Sequence, residues 1–80
     1  MSIQEKIIQW FSNNSSIGDD ATAHTKENYL EMGYIDSFGF LELISYCEEE
    51  LGVSLSDDDF SNDEIFTIDG LVNVLDAKVN

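Results

Sequence analysis

Apolar residues recur at helical spacing in three stretches of the chain. In the first, Ile3, Ile7, Trp10 and Phe11 fall on one side of a helix predicted over residues 3–12. Ser2 stands before it as an N-cap, and Glu5, three residues on, completes a capping-box pattern. In the second stretch, successive steps of about 100° gather Phe40, Leu43, Ile44, Cys47 and Leu51 on one side of a helix predicted over residues 37–51. Asp36 is its N-cap and Gly52 its C-terminal stop. The opposite side holds Phe38, Glu42, Ser45 and Glu49, with Leu41 and Glu48 on the flank. Phe38 and Leu41 are therefore expected to stand in solvent among acids. In the third stretch, Thr67 caps a helix whose core face is Ile68, Leu71, Val72, Leu75 and Val79, with Lys78 favourably placed in its last turn.

The connections are less regular. Ser56 to Asp59 repeats the Ser-x-x-acid pattern and predicts a short helix. Residues 13–35 open with Asn13, Asn14, Ser15, Ser16, Gly18, Asp19 and Asp20, all turn and cap residues, and regain periodicity only at Tyr29, Leu30 and Met32. A structureless loop of that length is uncommon in a small domain. Either a short helix lies near Lys26–Glu31, or the few apolar residues pin the loop. No alternating strand pattern and no internal repeat stand out. The prediction is an all-α fold: a small four-helix bundle of three longer helices and one short one, with a long first loop, in a single domain over residues 1–80.

Charge narrows the function. Seventeen acids face three lysines, and the formal net charge is −14. Nucleic-acid binding needs Lys and Arg to neutralise phosphates, and an anionic membrane repels such a chain. Basic protein surfaces are the natural partners, because the long-range field speeds their encounter. At 42% hydrophobic residues the chain has enough apolar content to fold. The single cysteine, Cys47, excludes an intrachain disulfide, and the N-terminal residues lack the apolar core of a signal peptide. A cytoplasmic setting is expected, with no membrane insertion.

Enzyme chemistry finds little support. Around Ser37 the G-x-S-x-G elbow of a hydrolase is broken, since Ile35 stands where the first glycine is required. Cys47 falls on a core face, and the only histidine, His24, falls in a loop. Asp57, Asp59 and Ser61 imitate the start of a calcium loop, but Asn62 replaces the glycine and Ile68 the closing glutamate. No dedicated metal site is expected, only incidental cation binding by the acids at 57–64.

The segment Met32-Gly33-Tyr34-Ile35-Asp36-Ser37-Phe38-Gly39-Phe40-Leu41-Glu42-Leu43 resembles the attachment motif of acyl and peptidyl carrier proteins. That motif is a glycine, a short spacer, Asp-Ser and a hydrophobic residue. The order of a capped first helix, a long loop, an acidic second helix and a terminal helix extends the resemblance over nearly the whole chain. It implies a non-enzymatic carrier with 4′-phosphopantetheine, drawn from coenzyme A, attached to Ser37. The terminal thiol of the arm would hold acyl or aminoacyl intermediates as thioesters. A phosphodiester suits the first turn of a helix, where free N–H groups and the dipole favour an anion. Asp36 carries over by its place directly before the serine, and Glu42 matches the family's acidic helix position. Phe38, Leu41, Glu42, Glu48 and Glu49 form the expected partner surface. The implied partners are a phosphopantetheinyl transferase and loading or transfer enzymes with basic docking patches, met by a monomer.

The chain also departs from the pattern of fatty-acid carriers. Tyr34 and Ile35 lengthen the spacer, Phe38 replaces leucine, Gly39 replaces an acid and Phe40 is bulkier than usual. The stretch from Asp59 to Ile68 is longer. These features point to a dedicated carrier for aminoacyl transfer, specialised lipid or natural-product chemistry, and predict that Phe40 narrows the way into the core. The competing reading is an acidic helical adaptor that binds a basic protein and is never modified.

Overall fold

A computed structural model describes residues 2–79 of the protein. Helix α1 spans Ile3–Asn14. The Ser2 hydroxyl accepts the Glu5 N–H at 3.1 Å, while the Glu5 carboxylate reaches that hydroxyl and not the Ser2 N–H. The helix runs beyond residue 12, the end expected from periodicity, and side chains at its C-terminus add bonds to the carbonyls of its last turns. Asn14 donates to the Trp10 carbonyl at 3.0 Å, and the Ser15 hydroxyl donates to the Phe11 carbonyl at 2.6 Å.

The long first loop takes the pinned form, not that of a helix near Lys26–Glu31. A 3-10 helix occupies Gly18–Ala23, a segment that opens with the turn residues Gly18, Asp19 and Asp20 and for which periodicity predicts no element. Beyond it the chain turns tightly, with Asn28 Oδ1 accepting the N–H groups of Leu30 and Glu31, both at 3.0 Å. Ile17, Ala21, Tyr29 and Ile35 are buried and anchor the loop in the core. Bonds of long sequence separation then fasten it to the C-terminal part of the chain. Tyr29 N–H donates to the Phe66 carbonyl at 3.0 Å, Asp69 N–H to the Thr25 carbonyl at 3.0 Å, and the buried Tyr29 hydroxyl to the Ile65 carbonyl.

Helix α2 spans Ser37–Leu51, the range its capping residues predict, and Gly52 ends it at φ +65°. A residue with a side chain would be strained in that left-handed conformation. Helix α3 is a single turn, Asp57–Phe60, and a 3-10 turn at Asp63–Phe66 leads into α4, Ile68–Val79. Ser56 N–H donates to Asp59 Oδ2 at 2.8 Å, and Lys78 bridges the same carboxylate at 2.7 Å, tying α3 to α4.

The helices share one core. Ile7, Phe11, Tyr29, Leu43, Cys47, Ile65, Ile68, Leu71 and Leu75 are fully buried. Aromatic rings continue it outward, with Tyr29 stacked on Phe40 at 6.3 Å and Phe40 against Phe66 at 5.8 Å and Phe60 at 6.3 Å. One expected core residue lies outside. Val79 is 49% exposed, because α4 continues past the core after Leu75.

Candidate functional site

The N-terminus of α2 is built by its cap. Asp36 sits in extended backbone, and its Oδ1 accepts the Gly39 N–H at 2.8 Å. That bond fixes the first turn and leaves the N–H groups of Ser37 and Phe38 among those a helix start does not pair internally. Ser37 is the first residue of the helix and is exposed.

Beside it lies the apolar patch expected from the helix pattern. Phe38 is 77% and Leu41 61% exposed, so neither is buried against the first loop. Met32, in the loop before the helix, is 54% exposed as well; its place in that loop gave no sign of it. Glu42 and Glu49 stand in solvent on the same helix. Glu48 differs from the free docking acid expected of it. It is half-buried, and its carboxylate accepts the Leu55 N–H at 3.0 Å. After Gly52 reverses the chain, the Leu55 amide needs an acceptor, and Glu48 is the side chain within reach.

Two further features involve the segment that leads into Ser37. An open cleft of about 460 Å³ lies between Asn13–Ser16 at the end of α1 and Gly33–Asp36, with Gly39 at its margin. The sequence shows Asn13–Ser16 as turn formers and Gly33–Asp36 as the stretch leading into Ser37, with no sign that the two meet. Their convergence depends on Ser16 N–H donating to the Tyr34 carbonyl at 3.1 Å across the loop. The second feature is a clamp within the loop. Tyr34 donates its hydroxyl to Glu27 Oε1 at 2.7 Å, and His24 Nδ1 lies 2.6 Å from Glu27 Oε2. The hydrogen bond from His24, then that from Tyr34, holds the Glu27 carboxyl below the usual range. A depressed carboxylate contributes stability above the ordinary glutamate pKa, and that contribution is lost as pH falls through the depressed one. In a carboxyl NMR titration, His24→Gln should raise the Glu27 midpoint more than Tyr34→Phe does; the reverse order would make Tyr34 the main anchor.

The remaining reactive groups are engaged elsewhere. Cys47 is fully buried, and burial pushes its thiol up to about 12, so it is no nucleophile at neutral pH. Asp59 is paired with Lys78. Among the described residues, no three His, Cys, Asp or Glu side chains converge as a metal ion requires. No helix there is long and apolar enough to cross a membrane.

The family model described as "Phosphopantetheine attachment site" matches residues 11–75 of the chain. A comparison with curated proteins gives no match.

Proposed function

The chain belongs to the phosphopantetheine attachment-site family, and from that premise we propose that Ser37 bears the arm and that the protein passes acyl or aminoacyl intermediates between enzymes. Covalent 4′-phosphopantetheine and a non-catalytic carrier role come with the family. When attached, the arm supplies the thiol that holds cargo as a thioester. One carrier domain is proposed, since buried residues from Ile7 to Leu75 form a single core.

The observation that carries the assignment to Ser37 is its placement. It is an exposed hydroxyl on the first residue of a 15-residue helix whose cap is already satisfied by Asp36. The residues fit the group. Ser37 opens α2, so its N–H and that of Phe38 have no partner within the helix, and the positive end of the helix would favour an anion there. Intact mass after incubation with coenzyme A, magnesium and phosphopantetheinyl transferase tests this. A gain of one phosphopantetheine, mapped to Ser37 by fragmentation, is expected. Folded protein that gains nothing, while a control carrier in the same tube is modified, overturns the assignment in favour of the unmodified adaptor.

The transferase and acyl-handling enzymes are the partners a carrier domain implies. Phe38 and Leu41 are proposed as the contact they read, with Glu42 and Glu49 steering basic surfaces toward it. Because both apolar side chains are solvated, Phe38→Ala or Leu41→Ala should change stability by less than about 0.5 kcal/mol. Transferase or partner affinity should fall about tenfold, the loss of one buried anchor of about 1.4 kcal/mol. Unchanged affinity in both variants would place the docking surface elsewhere.

Phe40 bears on the cargo. Its ring fills the space among Tyr29, Phe60 and Phe66, so long acyl chains are proposed to remain outside the core. Amide NMR of holo and long-chain acyl forms should differ little at Leu43, Cys47 and Leu71, which are buried. Large shifts across those residues would show that the chain enters.

A further inference from the structure

We propose that the cleft between the end of α1 and the segment before α2 is the resting place of the unloaded arm, an inference that rests on attachment at Ser37. The cleft borders the helix start that carries Ser37, although Ser37 itself does not line it. Asp36 and Gly39, which line it, lie on either side of Ser37 in sequence. Its volume of about 460 Å³ is in the range that holds small ligands, roughly 300–1,000 Å³.

Charge selects the occupant. The chain has a net charge of −14, yet Asp36 is the only charged residue in the cleft lining. The neutral pantetheine part of the arm, beyond the anionic phosphodiester, meets little repulsion there, whereas an acidic cleft would favour a cation. The polar atoms suit amides. Asn14 Nδ2 is engaged by the Trp10 carbonyl, which turns the role of its Oδ1 to that of an acceptor. Asn13 and Ser16 are exposed, and the Ser16 hydroxyl makes only a 3.4 Å contact with the Tyr34 carbonyl. Donors and acceptors for amide N–H and C=O groups are thus present on one wall. On the other, the half-buried ring of Tyr34 offers a small apolar face for the methyl groups of the arm, Ile35 being buried behind it.

Gly39 keeps the way open. A Cβ at this position would lie 3.1 Å from Ile35 Cβ and 3.4 Å from Asp36 Oδ1, both on the cleft wall. A carboxylate here would add a second charge beside Asp36. The glycine adds neither bulk nor charge to this margin of the cleft.

The test compares apo and holo protein, with one arm at Ser37 verified by mass. Amide shifts at Asn13–Ser16 and Gly33–Ile35 should move together with those around Ser37, and a nitroxide on the arm thiol should broaden the same signals. The arm thiol should react with a small alkylating agent about fourfold more slowly than free pantetheine if the arm is docked roughly three-quarters of the time. Cys47 does not confuse this readout, being buried with its thiol raised to about 12. Ser16→Phe, an exposed position whose new ring would fill the cleft, should restore the rate of free pantetheine and abolish the remote shifts. A holo protein whose shifts stop at residues 36–40, or whose nitroxide broadens Phe38 and Leu41 instead, overturns the resting place and leaves attachment standing. No mass gain at Ser37 overturns attachment itself, and this inference with it.

Discussion

Ser37→Ala should gain no mass from coenzyme A under conditions in which the wild type is fully converted. The effect is all-or-none, because the hydroxyl is the atom that would form the phosphodiester and no neighbour replaces it. The adjacent carboxylate of Asp36 is held by the Gly39 N–H at 2.8 Å, and the thiol of Cys47 is buried. The fold should be untouched. Ser37 is exposed and the cap belongs to Asp36, so a change within about 0.5 kcal/mol is expected by thermal unfolding. These two readouts separate a lost site from a lost structure. Partner binding that survives in the variant would show that docking depends on the helix surface and not on the arm. Mass gain that persists, mapped to another residue, would move the attachment point.

Gly70→Ala should damage the fold strongly. In an ordinary helix interior, alanine is favoured over glycine by about 1 kcal/mol. Here the sign reverses. A Cβ on Gly70 would lie 1.9 Å from the Glu64 carbonyl oxygen, 2.7 Å from its carbon and 2.8 Å from Thr67 Oγ1. Two of those atoms are backbone and cannot rotate aside, so the turn at Asp63–Phe66 must separate from α4. That turn carries Ile65 in the core and the carbonyls that receive Tyr29, so the disturbance reaches the first loop. A loss of about 3 kcal/mol is expected, the upper part of the range for forcing extra volume into a packed site. Gly33→Ala is the control. Its Cβ would meet nothing within 4 Å, and only the left-handed φ of +76° opposes it, a penalty of about 1–2 kcal/mol. Chemical denaturation of both variants gives the comparison, and equal losses would mean that close packing at Gly70 is not what stabilises this corner.

The sequence by itself determined the parts that depend on neighbours three or four residues apart. Asp36, Gly39 and Gly52 fix α2 to the residues that periodicity and capping predict, and the same reasoning leaves Phe38 and Leu41 in solvent beside Ser37. Each of those relations is local, so a helix start, its cap and its exposed face can be read from one stretch of chain. The tertiary structure decided what depends on distant partners. The first loop follows its path because Thr25 meets Asp69 and Tyr29 meets Ile65, contacts separated by 44 and 36 residues that no local pattern announces. Glu48 turns from a surface acid into an anchor because a reversed chain brings the Leu55 amide to it. Val79 leaves the core because α4 extends past its neighbours, and Gly70 is required because a carbonyl from another turn occupies the place of a side chain. The cleft beside Ser37 belongs to this second kind. Asn13–Ser16 read alone are turn formers and Gly33–Asp36 the approach to Ser37, and only the packing of the loop across the end of α1 makes them two walls of one site.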